Sequence, residues 1–346
     1  MNALEMDALL ARYGQARIAV AGDFFLDRYL HIDPALTTRS IETGLDVYEV
    51  VKVRPQPGAG GTVTNNLVAQ GVGHLFAVSA IGVDGEGFEL KSALQAQGIS
   101  VEYLIERKDR ATPTYTKPLV FEGGKPRELN RLDIRNRTRT PRDLEDAFIG
   151  ALNAVAERVD GIIVADQVDE PNLGLITERV RAALAELADR KPDLTILADS
   201  RSHIGHFRRV MTKPNQYEAV RSVGAPDDRA RDREALEPCG REMARRNGRP
   251  VFITRGPDGI LLVDPKGGAV AVPGYRVTGE IDIVGAGDST SAGIVSALCA
   301  GARPMDAALV GCLVASITIQ QIGTTGVATP EQVKRRFADY EAQQKA

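Results

Sequence analysis

Short apolar runs rich in β-branched residues recur at positions 18–21, 74–81, 161–165, 194–198, 251–254 and 259–263. Between several of them, apolar residues fall at helical spacing over 65–70, 88–97, 141–158, 172–189 and 233–247. Continuous apolar strands alternating with amphipathic helices predict a parallel sheet covered on both faces. Two segments, 46–54 and 112–133, instead alternate apolar with polar residues. Their period of two predicts a small sheet with one wet face. The run 227–234, rich in Asp and Arg, reads as a solvated loop and helix start.

Composition narrows this picture. With 346 residues and 43% hydrophobic content, the chain has material for one large α/β domain or two average ones. A net charge of −3 argues against a nucleic-acid partner, whose footprint is a basic excess. Cys239, Cys299 and Cys312 are odd in number and lack metal-ligand spacing, as expected of reduced cytosolic thiols. Residues 1–13 are acidic and amphipathic, unlike a secretory leader. The apolar stretch 307–319 is too short to span a bilayer. The expectation is a soluble, cytoplasmic protein with no membrane partner.

One segment concentrates chemistry: Asp282-Ile-Val-Gly-Ala-Gly-Asp288, followed by the small-residue stretch 289–298. It reads as a β-branched strand end near Ile283 that meets two glycines and then a helix. Peptide N–H groups exposed at that helix start, with the helix dipole behind them, seat negative charge. A lone carboxylate, Asp288, stands at the rim. An anion hole beside a carboxylate suits phosphoryl transfer, the hole holding developing charge and the carboxylate taking a proton. An N-capping Asp on an ordinary core helix fits the same residues.

Three further motifs accompany it. Gly22-Asp-Phe-Phe-Leu-Asp27 follows the first strand, Pro214-Asn215-Gln-Tyr-Glu218 lies mid-chain, and Thr254-Arg-Gly256-Pro-Asp-Gly259 precedes a hairpin. In this order and spread over residues 18–288, the four resemble the signature elements of the ribokinase-like (PfkB) carbohydrate kinases. The resemblance implies a three-layer ribokinase-like α/β fold, with a mostly parallel central sheet and a small β-sheet lid. It implies a single domain over 1–346, lid segments at about 28–56 and 110–135, and a homodimer contact through the lid.

It also implies roles. Asp288 is the base, and Gly285, Ala286 and Gly287 form the anion hole. Asp27, Gly58, Ala59, Thr62 and Asp166 meet the sugar. Thr62 stands where the family carries an Asn, and Asn65 and Asn66 lie a turn further on. A hydroxyl cannot offer the two donors and the carbonyl of an amide. Either the contact has changed or one of those Asn residues replaces it. Asn215 and Glu218 organise the water shell of Mg²⁺, which dehydrates reluctantly. Thr254, Arg255, Gly256 and Gly259 receive the ATP phosphates, Ala315 and Ile319 wall the adenine, and Asp282 is a candidate for a monovalent cation such as K⁺.

Residues 38–42 (Thr-Arg-Ser-Ile-Glu), 112–117, 128–133 and 321–325 most resemble the heptose-7-phosphate kinase branch. A substrate that already carries a phosphate needs a second cationic subsite, for which Lys117 and Arg131 are candidates. Val164-Ala-Asp166-Gln-Val departs from the branch's Ser-Asp-Tyr-x-Lys-Gly. The expected activity is ATP-dependent phosphorylation of a sugar hydroxyl, with the anomeric hydroxyl of a heptose 7-phosphate leading. Another sugar, sugar phosphate or nucleoside, or a non-catalytic sugar- or nucleotide-binding regulator, is the alternative. A dinucleotide oxidoreductase lacks its N-terminal Gly-x-Gly-x-x-Gly. His203-Ile-Gly-His206 matches the HxGH of nucleotidyltransferases but sits mid-chain rather than after a first strand, and is read as a polar loop.

Overall fold

The computed structural model describes residues 1–122 and 125–345. Gly123 and Gly124, inside the second alternating segment, and Ala346 lie outside that description.

The chain begins with helix α1 (Ala3–Leu10), held by a capping box between Asn2 and Glu5, and enters strand β1 (Arg17–Gly22). The next strands build a separate small sheet. β2 (Phe24–Ile32) is followed by a short hairpin, β3 (Thr38–Arg39) with β4 (Asp46–Val47), and then by β5 (Val50–Ala59). Helix α2 (Gly60–Ala69), β6 (His74–Gly82), α3 (Gly85–Ala96) and β7 (Ser100–Arg107) return to the main sheet. β8 (Thr114–Glu122), β9 (Lys125–Glu128) and β10 (Leu132–Ile134) complete the small one. The main sheet then continues through α4 (Arg142–Val155), β11 (Gly161–Asp166), α5 (Glu178–Arg190), β12 (Thr195–Ser200) and β13 (Met211–Thr212). After α6 (Gln216–Ser222) and α7 (Arg233–Asn247) come β14 (Val251–Thr254), β15 (Ile260–Val263) and β16 (Ala269–Val272). Helices α8 (Ala286–Cys299), α9 (Pro304–Thr318) and α10 (Pro330–Lys345) close the chain.

The main sheet has nine strands in the order β16-β15-β14-β13-β12-β11-β1-β6-β7. It is parallel from β7 to β14, and β15 and β16 add antiparallel. Every residue of β11 is buried, as a strand covered on both faces must be. Successive β1 side chains feed opposite faces: Ile18 and Val20 join one apolar cluster with Leu67, Leu90, Ile294 and Phe337. Ala19 and Ala21 join the other with Phe148, Leu184 and Leu236. The result is three layers, helix–sheet–helix.

From β1 the chain steps outward to β6 and β7 on one side, and from β11 to β12 and β13 on the other. The crevice at the carboxyl ends of β1 and β11, where the order reverses, is where open α/β sheets hold ligands. Over that edge lies the small sheet, ordered β10-β8-β2-β5. Its central strand β2 pairs antiparallel with β5 and parallel with β8.

Two expectations change. Asp27 follows β1 but sits within the next strand, β2, and not in a turn, because Phe24–Leu26 are buried strand residues. The β-branched residues Ile281, Ile283 and Val284 form no strand; they are an exposed loop whose Asp282 N–H is tied to the Ile319 carbonyl of the α9 end.

Candidate active site

Helix α8 starts from Gly285, whose φ of +79° only glycine adopts without strain. Small residues let α8 press against α9: a Cβ on Gly293 would come within 3.1 Å of the Gly311 Cα. At the helix start the Ala286 N–H closes a turn onto the Ile283 carbonyl (3.1 Å). The amides of Gly285, Gly287 and Asp288 have no acceptor among the described residues, and they are the available part of the predicted hole.

Asp288 stands half-buried in the first turn. Burial, reinforced by the Asp199 carboxylate and partly offset by Lys213 and Arg201, raises its carboxyl to about 7. Sequence reading missed the cation beside it. Lys213 is 3% exposed, its Nζ lies 2.9 Å from Asp199 Oδ2, and Ser291 Oγ donates to the same oxygen (2.9 Å). A Cβ on Gly287 would sit 3.5 Å from that Nζ, so the ammonium lies against the helix start. Burial opposes its charge, but Asp199, with Glu218 and Asp288, holds Lys213 above its ordinary value. The available signals were a lysine directly before Pro214-Asn215 and an Asp ending an apolar strand run.

On the small sheet, Asp27 faces Gln56 across β5 and Tyr115 across β8. Its Oδ1 lies 3.0 Å from Lys117 Nζ, and Lys117 also donates to Tyr29 Oη (3.4 Å). Any side chain at Gly58 would meet the Asp27 carboxylate at 2.8 Å. After Ala59, which takes the strained φ of +53°, helix α2 presents buried Thr62 toward Gly285, at 3.3 Å from a Cβ built there. Asn66 is buried and donates to the carbonyls of Thr62 and Gly326, and Asn65 donates to Pro57 O. Thr62, not either Asn, therefore faces the helix start.

Other expected residues sit differently. Asp166 is 2% exposed, accepts from Ser200 Oγ (2.7 Å) and lies near buried His203 and Arg181, so it underpins the floor rather than lining it. The neighbouring Gln167 lines the crevice. Arg131 forms a two-armed ion pair with Asp133 (2.7 and 2.8 Å) and stacks over Tyr115. Asn215 and Glu218 form the capping box of α6, with one Glu218 oxygen accepting from the Asn215 N–H. Burial pushes the Glu218 carboxyl up. Both Asp282 oxygens accept backbone N–H groups, from Val284 (3.0 Å) and Gly323 (3.3 Å), so this carboxylate ties the loop together. His203 and His206 meet edge to face at 6.2 Å below the floor.

Between the β14–β15 hairpin and helices α8 and α9 lies a cavity of about 260 Å³. Thr254, Gly256, Gly259, Ala286 and Gly287 line its polar end, and Ala315 and Ile319 its apolar end. Gly259 is required there, since a Cβ would collide with Val272 O at 2.1 Å. Arg255 lies outside that lining, its Nε buried without a partner among the described residues and its guanidinium 3.4 Å from Asp258.

Fold and cleft define a sugar kinase of ribokinase-like architecture. The chain belongs to the pfkB family of carbohydrate kinases, whose model matches residues 29–332. Among solved structures it is similar to a phosphofructokinase-2 mutant (Y23D) from Escherichia coli, with TM-score 0.71, 16% identity, and 94% and 99% of the two chains covered. It is also similar to Arabidopsis thaliana ribokinase complexed with ribose and ATP, with TM-score 0.65, 14% identity, and 93% and 98% covered. In sequence it is 28% identical over 341 residues to the bifunctional protein HldE of Geobacter sulfurreducens. It is 29% identical over 343 residues to that of Citrifermentans bemidjiense. Both alignments cover 96% of this chain, which spans about 65% and 66% of those relatives' length.

Proposed function

We propose that the chain transfers the γ-phosphoryl group of ATP to a sugar hydroxyl, with Asp288 as the base. The hydroxyl oxygen bonds to the γ-phosphorus, the bond to the β,γ-bridging oxygen breaks, ADP leaves, and the hydroxyl proton passes to Asp288. The observation that carries this reading is the position of Asp288: first turn of α8, beside free amides and a buried ammonium, with the carboxyl raised to about 7. A base poised near neutrality is ionised when needed and strong enough to take the proton. The N–H groups of Gly287 and Asp288 and the Lys213 ammonium oppose charge on the transferred group without reorganising. Asp27, fixed by Lys117, accepts from a sugar hydroxyl, and Thr62 offers a hydroxyl in place of an amide.

The 260 Å³ cavity suits an adenine against Ala315 and Ile319, with its phosphates toward Thr254, Gly256 and Gly287. Among the described residues no three His, Cys, Asp or Glu side chains cluster to cage a metal. One carboxylate fits Mg²⁺ nonetheless, because that ion keeps most of its water and takes remaining ligands from phosphates. Glu218, with one oxygen outside the capping box, would hold that shell. When bound, the ion supplies neutralisation of phosphate charge. Asp282 is spent on its loop, and we assign it no cation.

The leading acceptor is a heptose 7-phosphate at its anomeric hydroxyl, supported by the 112–117 and 128–133 motifs and by the HldE relatives. Ribose and fructose phosphates are the second candidates, since the structural neighbours include ribokinases and phosphofructokinases. A homodimer through the small sheet is supported by the exposed apolar residues Val51, Val53 and Leu132 on it and Ile41, Leu45 and Tyr48 in and beside the β3–β4 hairpin. A cytoplasmic location fits the absence, among the described residues, of any helix long and apolar enough to cross a membrane. A coupled ADP-release screen over sugars and sugar phosphates tests the proposal. Turnover with at least one supports it, and ATP-dependent turnover of none contradicts it.

A further inference from the structure

We propose that the narrow cavity beside Tyr115 is an anion subsite, with Arg201 as its principal ligand and Arg137 as its second, and that it seats the phosphate of an already phosphorylated acceptor. This inference rests on the kinase reading above. The cavity lies where the strand order reverses: Asp23 after β1, Gln167 after β11 and Arg201 after β12 form one wall. Phe25 and Tyr115 of the small sheet form the other. Its volume, about 60 Å³, is roughly four times the space that holds one water. A small polar group fits there, bounded by charged side chains.

The charge pattern identifies the ligand class. Arg110 spends its guanidinium on the carbonyls of Thr138 and Leu173. Arg135 is held by Asp133 at 2.7 Å. Arg137 is held only loosely, 3.4 Å from exposed Glu170. The Arg201 guanidinium has neither carboxylate nor carbonyl partner among the described residues, although its backbone N–H is tied to Asp166 O (3.1 Å). An arginine fixed by its main chain, with its planar fork unfilled, is suited to two-armed recognition of a phosphate. Three carboxylates share the lining with four arginines: Asp23 accepts from the Gln167 and Leu175 amides, Asp169 from Ser202 Oγ, and Glu170 faces Arg137.

Arg201 also faces the reaction. Its charge acts on Asp288 and Glu218 from one side and on Tyr115 from the other. A sugar whose hydroxyl meets Asp288 and whose body lies along Asp27, the cross-strand partner of Tyr115, would direct its far end past Arg201 into the cavity. Lys117 and Arg131 are less suited, because each already holds a carboxylate, Asp27 and Asp133.

The test compares wild type, Arg201→Gln, Arg201→Lys and Arg137→Gln against heptose 7-phosphate, fructose 6-phosphate, ribose 5-phosphate and their unphosphorylated sugars. Coupled ADP release gives the kinetics, and calorimetry gives nucleotide-free binding of the same compounds. The expected result is a KM for the phosphorylated acceptor raised about ten-fold or more by Arg201→Gln, less by Arg137→Gln, with partial rescue by Arg201→Lys. KM for ATP should stay within about two-fold. If a free sugar is the better acceptor, or if Arg201→Gln raises KM for ATP instead, the subsite is refuted while the kinase survives. If no compound is phosphorylated but Arg201→Gln weakens calorimetric binding of a sugar phosphate, the kinase reading fails and the subsite stands.

Discussion

Two cavities, one against the start of α8 and one under the small sheet, are built from different materials. The one between the hairpin and helices α8 and α9 is walled by small and apolar residues and ends in backbone around Gly256, Gly259 and Gly287. The one under the small sheet is walled by aromatic rings from β2 and β8 and by arginines and carboxylates from the loops after β1, β10, β11 and β12. On the proposed reading, backbone and apolar surface would take the nucleotide, and charged side chains the acceptor. The difference then assigns the class of reaction to the first cavity and the choice of substrate to the second.

The sharpest way to break this division is at Asp288, the proposed base. Asp288→Asn should lower kcat by about 10²–10⁴-fold while leaving ATP and acceptor binding within a few-fold, checked by steady-state kinetics with calorimetry. Next comes Lys213→Met, expected to cost about 10²–10³-fold in kcat through loss of a fixed cation. That change also strands Asp199 in the interior, so thermal stability should fall. In the double variant Lys213→Met/Asp199→Leu stability should recover and activity should not. If activity recovers too, Lys213 serves only to neutralise Asp199.

Smaller effects separate the two sides. Ala315→Phe, which intrudes on the apolar end of the donor cavity, should raise KM for ATP about ten-fold and leave the acceptor KM alone. Thr62→Asn should change the acceptor KM by about two- to ten-fold, the worth of one hydrogen bond, and leave ATP unaffected. Crossed effects in either variant would mean that the sides are not independent.

The same contrast governs what the sequence discloses. The helix start at 285–288, the strand–helix alternation and the hairpin glycine at 259 are local patterns, readable because glycine and β-branched runs dictate local backbone. Asp27 with Lys117, Asp199 with Lys213, and Arg137 with Glu170 are pairings between different elements or loops, made by the tertiary fold, and no local pattern announces them. Lys117 and Arg131 were legible as basic residues on lid strands, but not as residues already holding Asp27 and Asp133. The β-branched run at 281–284 misleads for a related reason: its propensity is that of a strand, yet it runs as an exposed loop before α8.

Linkage gives an independent view of Asp288. A carboxyl raised to about 7 in the folded chain keeps a proton that the unfolded chain releases near 3.8. Its contribution to stability is therefore full at low pH and is lost as pH rises toward 7 and beyond. Asp288→Asn should be more thermostable than wild type at pH 8 and no more so at pH 4. The most direct measurement is the pH dependence of kcat/KM for the acceptor. The wild type should show an acid limb with an apparent pKa near 7, falling about ten-fold per pH unit below it, and this limb should be missing from the residual activity of Asp288→Asn. A limb near 4, or one near 7 that persists in Asp288→Asn, would contradict the assignment of Asp288 as the base.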